Sequence, residues 1–177
     1  MLSDDGPAGW PHRLAVAALA ALGGCIAAYL AMYQLGLLPG VWDPVFGPAS
    51  SQAVLTSPLS RSLPIPDALL GAAAYVCEVC LAMLGGRDRW LVHPRLVLAY
   101  GVVLAGLALS SLGLVLVQVL VLRSACTLCL TSAGISFVNA GLGRREVLAA
   151  LSVGMRSGRQ LKSTCGGTRL YAEDPES

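Results

Sequence analysis

Charge is scarce in this sequence. Asp, Glu, Lys and Arg make up 12% of its 177 residues, against 55% apolar residues; a soluble domain carries about 25% charged residues. A water-soluble chain with room for one domain has no core large enough to hide so much apolar surface. The net charge of +2 is too small to draw nucleic acid, so no nucleic-acid partner is expected. No internal repeat is present.

What the sequence does have is long apolar runs. Four of them, with Arg only at their edges, cover Arg13–Leu38, Asp67–Gly86, Pro94–Leu122 and Ala125–Gly143. Each reaches the roughly 20 residues that a helix needs to cross a ~30 Å hydrocarbon layer. Only helices satisfy their own backbone segment by segment in lipid, so the expected fold is all-α: an integral membrane four-helix bundle. Residues 1–12 read as a disordered lead, 13–143 as the membrane domain, and 144–177 as an amphipathic segment with a tail. Within that last part, Val147, Leu148, Leu151 and Met155 share a face among Arg and Lys, which predicts a separate helix over Glu146–Lys162 on the inner leaflet. The tail from Ser163 reads as disordered.

With four spans, both termini and the 86–95 loop share one side. That side carries Arg13, Arg87, Arg89, Arg95, Arg144, Arg145, Arg156, Arg159, Lys162 and Arg169, and the other only Arg61 and Arg123. The asymmetry places both termini in the cytoplasm of a bacterial-type cell membrane. The Pro39–Pro66 loop then lies outside, and its apolar members (Val41, Trp42, Phe46, Leu55) suit a cover over the bundle mouth. Leu22-Gly23-Gly24-Cys25 faintly resembles a lipoprotein cleavage site. Apolar sequence nevertheless continues to Leu38 where a polar tether is expected, and the run is too long for a secretory signal core.

Six cysteines fall into three settings. Cys126-Thr127-Leu128-Cys129 opens the fourth span on the outer, oxidising side. The i, i+3 spacing puts both sulfurs on one helical face, with Ser124 as the expected N-cap and Cys126 in the first turn, where the helix dipole and Arg123 favour the thiolate. This spacing serves redox chemistry, and it also serves structural or zinc sites. Cys77-Glu78-Val79-Cys80 repeats it about 15 Å deeper, at ~1.5 Å per residue, too far away to share one zinc ion. No metal site is therefore expected. Cys77, Cys80 and Cys25 read as small packing residues, and Cys165 as an incidental thiol. Glu78, an acid deep in a span, faces either a cavity or a hydrogen-bonding neighbour. Gln118 and Asn139 read as interhelical hydrogen-bonders.

In this order the pieces resemble the vitamin K epoxide reductase family. Val54-Leu55-Thr56-Ser57 resembles its loop stretch, Ile65-Pro66-Asp67-Ala68-Leu69-Leu70-Gly71 through Tyr75 the start of its second helix, and Cys126-Thr127-Leu128-Cys129 its redox motif. The resemblance implies a membrane thiol–disulfide oxidoreductase coupled to a quinone of menaquinone, ubiquinone or vitamin K type. It implies Cys126 and Cys129 as the catalytic pair, Cys129 on the quinone side, and Ser57, Asp67 and Tyr75 at a quinone oxygen. Lipid, quinone and a thioredoxin-like thiol protein are the implied partners. The chain departs from the family at three places. Asp43 and Ser51 stand where two loop cysteines commonly relay electrons, Ala133 stands where a Tyr is common, and Asp67 stands where some members have Asn. Without a loop relay, Cys126 must either meet a partner directly, which requires it to be open to water, or go unused. A non-catalytic protein keeping the fold, and a metal-binding membrane protein, are the other two classes that these residues allow.

Overall fold

Helix α1 (Trp10–Gln34) begins with a proline in its first turn, where the missing N–H has no intrahelical acceptor to lose. It ends at Gly36, whose φ of 75° lets Leu37 N bond Met32 O and Gly36 N bond Tyr33 O. This glycine closure stops the helix short of the expected Leu38. The computed structural model describes residues 9–61, 64–86 and 89–167, and every regular element among them is helical. After α1 come the short α2 (Pro48–Leu55) and α3 (Pro58–Arg61), then α4 (Asp67–Met83), the single turn α5 (Arg89–Val92), α6 (Pro94–Leu116) and α7 (Thr127–Gly167). The last turn of the third apolar run, Val117–Leu122, widens into a π-helix that ends on Arg123 in the left-handed conformation, φ 48°.

The four long helices pack side by side: α1 lies against α4 and α7, and α6 against α7 and α4. Val16, Ala17, Ala82, Tyr100 and Leu104 form one part of the core, and Ala20, Ala27, Tyr75, Leu107 and Ile135 another. Small residues allow this closeness. A Cβ on Gly23 would stand 2.6 Å from the Tyr75 ring, so the Gly23-Gly24 pair inside α1 has a packing cause. At one end Arg13 donates to the carbonyls of Ala82, Leu84 and Gly85, the orphan acceptors at the end of α4. Arg89 bonds Leu81 O and Leu84 O and forms a buried ion pair with Glu146.

Two segments, Trp10–Gln34 and Pro94–Leu122, are long and apolar enough to cross a membrane. Helix α4 has 17 residues, a length of ~26 Å at 1.5 Å per residue, and α7 carries Ser132, Ser136 and Asn139 inside its apolar part. Three expectations are corrected. The separate helix over Glu146–Lys162 is a continuation of α7, because Glu146 is tied to Arg89 and Val147 fits against Gly101. The helix also continues to Gly167, past Ser163; residues 168–177 lie outside the described residues, as do 1–8 of the expected lead. Cys25, Cys77 and Cys80 are exposed on the outer faces of α1 and α4, so they are not core packing residues.

Candidate functional site

The two cysteines of the fourth apolar run stand where the 123–126 connector feeds α7. Cys126 accepts the first helical bond, from Leu130 N at 2.9 Å, and its Sγ accepts the N–H of Cys129 at 3.2 Å. That is the behaviour of an N-cap side chain. Ser124, expected in that role, turns its hydroxyl back to Leu122 O. Sulfur thus stands at the start of α7 where a capping oxygen is usual. Both thiols are free, and the N-cap bond sets Cys126 Sγ at the backbone of its partner.

The outer loop is tied down over this point by Asp43. Its Oδ2 accepts from Thr127 N at 2.8 Å and Ser51 Oγ at 2.5 Å, and its Oδ1 from Thr127 Oγ1 at 2.5 Å. Val45 N and Phe46 N complete the set. Ser50 adds a second tie, donating to Ala125 O and accepting from Ala125 N. Burial alone would raise the Asp43 carboxyl, but the hydrogen bonds from Ser51, Thr127 and Phe46 outweigh it and hold the group well below the usual carboxylate range. Asp43 and Ser51, which the resemblance sets at the positions of two loop cysteines, thus bond each other and tie the loop to the start of α7. The consequence is a correction: Cys126 is 0% exposed, not open to water.

Behind the cysteines lies a cavity of about 480 Å³. Cys129, Asp67 and Tyr75 all line it, as the spacing of Asp67 and Tyr75 on α4 anticipates. Its walls are Leu30, Leu55, Val103 and Leu107, and Ala133 stands small and buried where a larger ring would fill the space. Leu70 on α4 and Leu114 on α6 line it while remaining exposed on the molecular surface, so the cavity opens sideways between these helices. The Tyr75 hydroxyl is committed to α7, with Ser132 O and Ser136 Oγ both at 2.7 Å. Asp67 Oδ1 accepts from Gln34 Nε2 at 2.5 Å and from Ser60 Oγ at 2.9 Å. Ser57 is buried, its Oγ accepts Ser60 N, and it lines an adjoining cavity of about 350 Å³ together with Asp67 and Gln118. Among the described residues, no group of three His, Cys, Asp or Glu comes together as a metal site.

Two residues gain roles that the sequence reading did not give them: Asp43 is the loop tie and Gln34 holds Asp67. Gln118, an interhelical hydrogen-bonder as expected, bonds the Cys126 backbone at the start of α7 at 3.2 Å. The available signal for Gln118 is an amide eight residues before Cys126 in an otherwise apolar run. For Asp43 and Gln34 no local signal exists. Asn139 also bonds across helices, to Glu78 Oε1 at 2.7 Å.

The model of the vitamin K epoxide reductase family matches residues 14–142. No curated protein is similar enough to match. The matched segment is well over half of the chain and contains the loop tie, the cavity and both site cysteines; the protein belongs to the vitamin K epoxide reductase family.

Proposed function

We propose that the protein is a membrane thiol–disulfide oxidoreductase that passes electrons from the Cys126/Cys129 dithiol to a membrane quinone. The observation that carries this reading is that Cys129, one turn inside Cys126, lines an apolar cavity with a sideways opening. The cavity fits a quinone ring: most of its lining is aliphatic, and a few polar groups, Asp67, Gln118, Cys129 and Ser132 among them, stand in that lining. A bound quinone supplies a two-electron acceptor, reduced to the quinol. Cys129 faces that acceptor and gives up its electrons there, and the Cys126 thiolate closes the disulfide. Two thiols lose two protons and two electrons and one S–S bond forms, which balances the reduction. Asp67, an acceptor, takes a hydrogen bond from the hydroxyl of the quinol that forms. Ser57 supports it from the adjoining cavity, and Tyr75 braces α4 against α7 with its ring as cavity wall.

In this reading the four long helices are the spans of one bundle. Leu22, Val76, Val102, Leu109 and Phe137, all exposed, are faces that lipid solvates. A thioredoxin-like protein recharges Cys126 once the Asp43 tie opens. The test uses purified protein in lipid nanodiscs with a dithiol and a water-soluble quinone, following quinone absorbance. Cys126→Ala and Cys129→Ala should each reduce turnover to background, whereas Cys77→Ala and Cys80→Ala should leave it intact. Absence of turnover by the wild type with every dithiol and quinone offered would favour a non-catalytic member of the fold.

A further inference from the structure

Gln118 sits on the π-helical turn at the end of the third apolar run, 2% exposed. Wide turns of this kind are rare and frequent at functional sites, and this one places an amide at the junction of connector, cavity and cysteines. Its backbone carbonyl accepts from Arg123 N and Ser124 N. Its side-chain Oε1 accepts from Cys126 N at 3.2 Å. One residue thereby holds both ends of the 123–126 connector, including the strained left-handed Arg123.

The bond to Cys126 also fixes which way the amide faces. An N–H donor requires the oxygen end, so Oε1 is turned to Cys126 and the NH₂ end is left over. Among the described residues no acceptor takes Gln118 Nε2, although the side chain lines the cavity that Cys129 and Asp67 line. The residue is 2% exposed and its side chain lines the cavity, so this NH₂ is free to donate to an acceptor placed there. A carbonyl oxygen bound in the cavity is a matching acceptor, and a quinone carries two. We infer that Gln118 is the carbonyl-binding residue of this cavity and at the same time the positioning residue of Cys126. Its NH₂ donates to a quinone carbonyl while its oxygen holds the Cys126 backbone. This rests on the quinone reading above and adds to it a residue that senses the ring and the outer cysteine together.

The test separates the two ends of the amide. Gln118→Met fills similar space with neither donor nor acceptor, and Gln118→Glu keeps the acceptor for Cys126 N while losing the donor. Two readouts are used on full-length protein in nanodiscs: the dissociation constant of a short-chain ubiquinone, from quenching of Trp fluorescence, and the rate at which a maleimide alkylates Cys126 in a variant lacking the other cysteines. Gln118→Met should weaken quinone binding roughly three- to tenfold, the worth of one hydrogen bond, and should change the Cys126 rate. Gln118→Glu should weaken binding at least as much yet return the Cys126 rate toward that of wild type. Equal quinone affinity in wild type and both variants overturns the Gln118 assignment while leaving the quinone reading in place. A wild type that binds no quinone overturns both.

Discussion

Glu78 is buried to 0% exposure in the middle of α4, with one oxygen satisfied and the other not. Asn139 mirrors it: its Nδ2 donates to Glu78 Oε1, and its own oxygen has no partner. Two bare acceptors side by side in an apolar interior are costly, and one proton on the carboxyl removes the conflict by turning an acceptor into a donor. Glu78 is therefore read as a neutral acid, a structural link between α4 and α7. Glu78→Gln should melt within a few degrees of wild type, because the amide offers one donor and one acceptor in the same shape. Glu78→Leu strands Asn139 and should cost about 1–3 kcal/mol. Thermal unfolding of both in the same detergent decides it, and a Gln variant as damaged as the Leu variant would sink the neutral-acid reading. The sequence showed each of these polar residues as an anomaly in an apolar run. That they face each other depends on how α4 meets α7, which no local pattern encodes.

At the scale of elements, the helices were legible because long apolar runs can do little else in lipid, and their ends because Gly and Pro act locally. The site end was not. Asp43 and Thr127 are 84 residues apart, and a capping bond across that separation leaves no spacing to read. The same carboxylate ties the loop to the first turn of α7, so it governs access to Cys126. Asp43→Asn keeps the size but loses the charge and turns one acceptor into a donor facing Thr127 N or Ser51 Oγ. Alkylation of Cys126 at pH 7 should then accelerate, and the melting temperature should fall. Because Asp43 titrates below its ordinary value of 3.8 in the folded protein, its stabilisation is fully present above about pH 4 and is lost as pH falls through the lower folded value. Wild-type stability should show no loss from this group between pH 5 and 8 and should begin to fall only below about pH 4. In Asp43→Asn that acid limb should be reduced. An Asn variant with unchanged Cys126 reactivity would mean that the loop, not its tie, does the covering.

Viewed as a whole, the molecule has two polar ends with an apolar length between them. One end gathers Arg13, Arg89 and Glu146, the other Gln34, Asp43 and Asp67. Along α1, Arg13 and Gln34 are separated by ~32 Å at 1.5 Å per residue, close to the ~30 Å of a bilayer core. The Arg-rich end is the one that the charge rule assigns to the cytoplasm. Two of its arginines are buried as caps on carbonyls of α4, but orientation is set while the chain inserts, before those bonds form, so they still count. In the orientation we propose on this ground, the site cysteines face the outer, oxidising side, where a disulfide persists. Val45 is exposed at the cysteine end and Arg144 at the opposite end, so each can carry a reporter without disturbing the site. In otherwise cysteine-free protein, a membrane-impermeant maleimide should label Val45→Cys in intact cells and Arg144→Cys only after permeabilisation. The reverse pattern would place Cys126 and Cys129 in a reducing compartment, where the pair would be held as dithiol and the electron flow argued here would lose its direction.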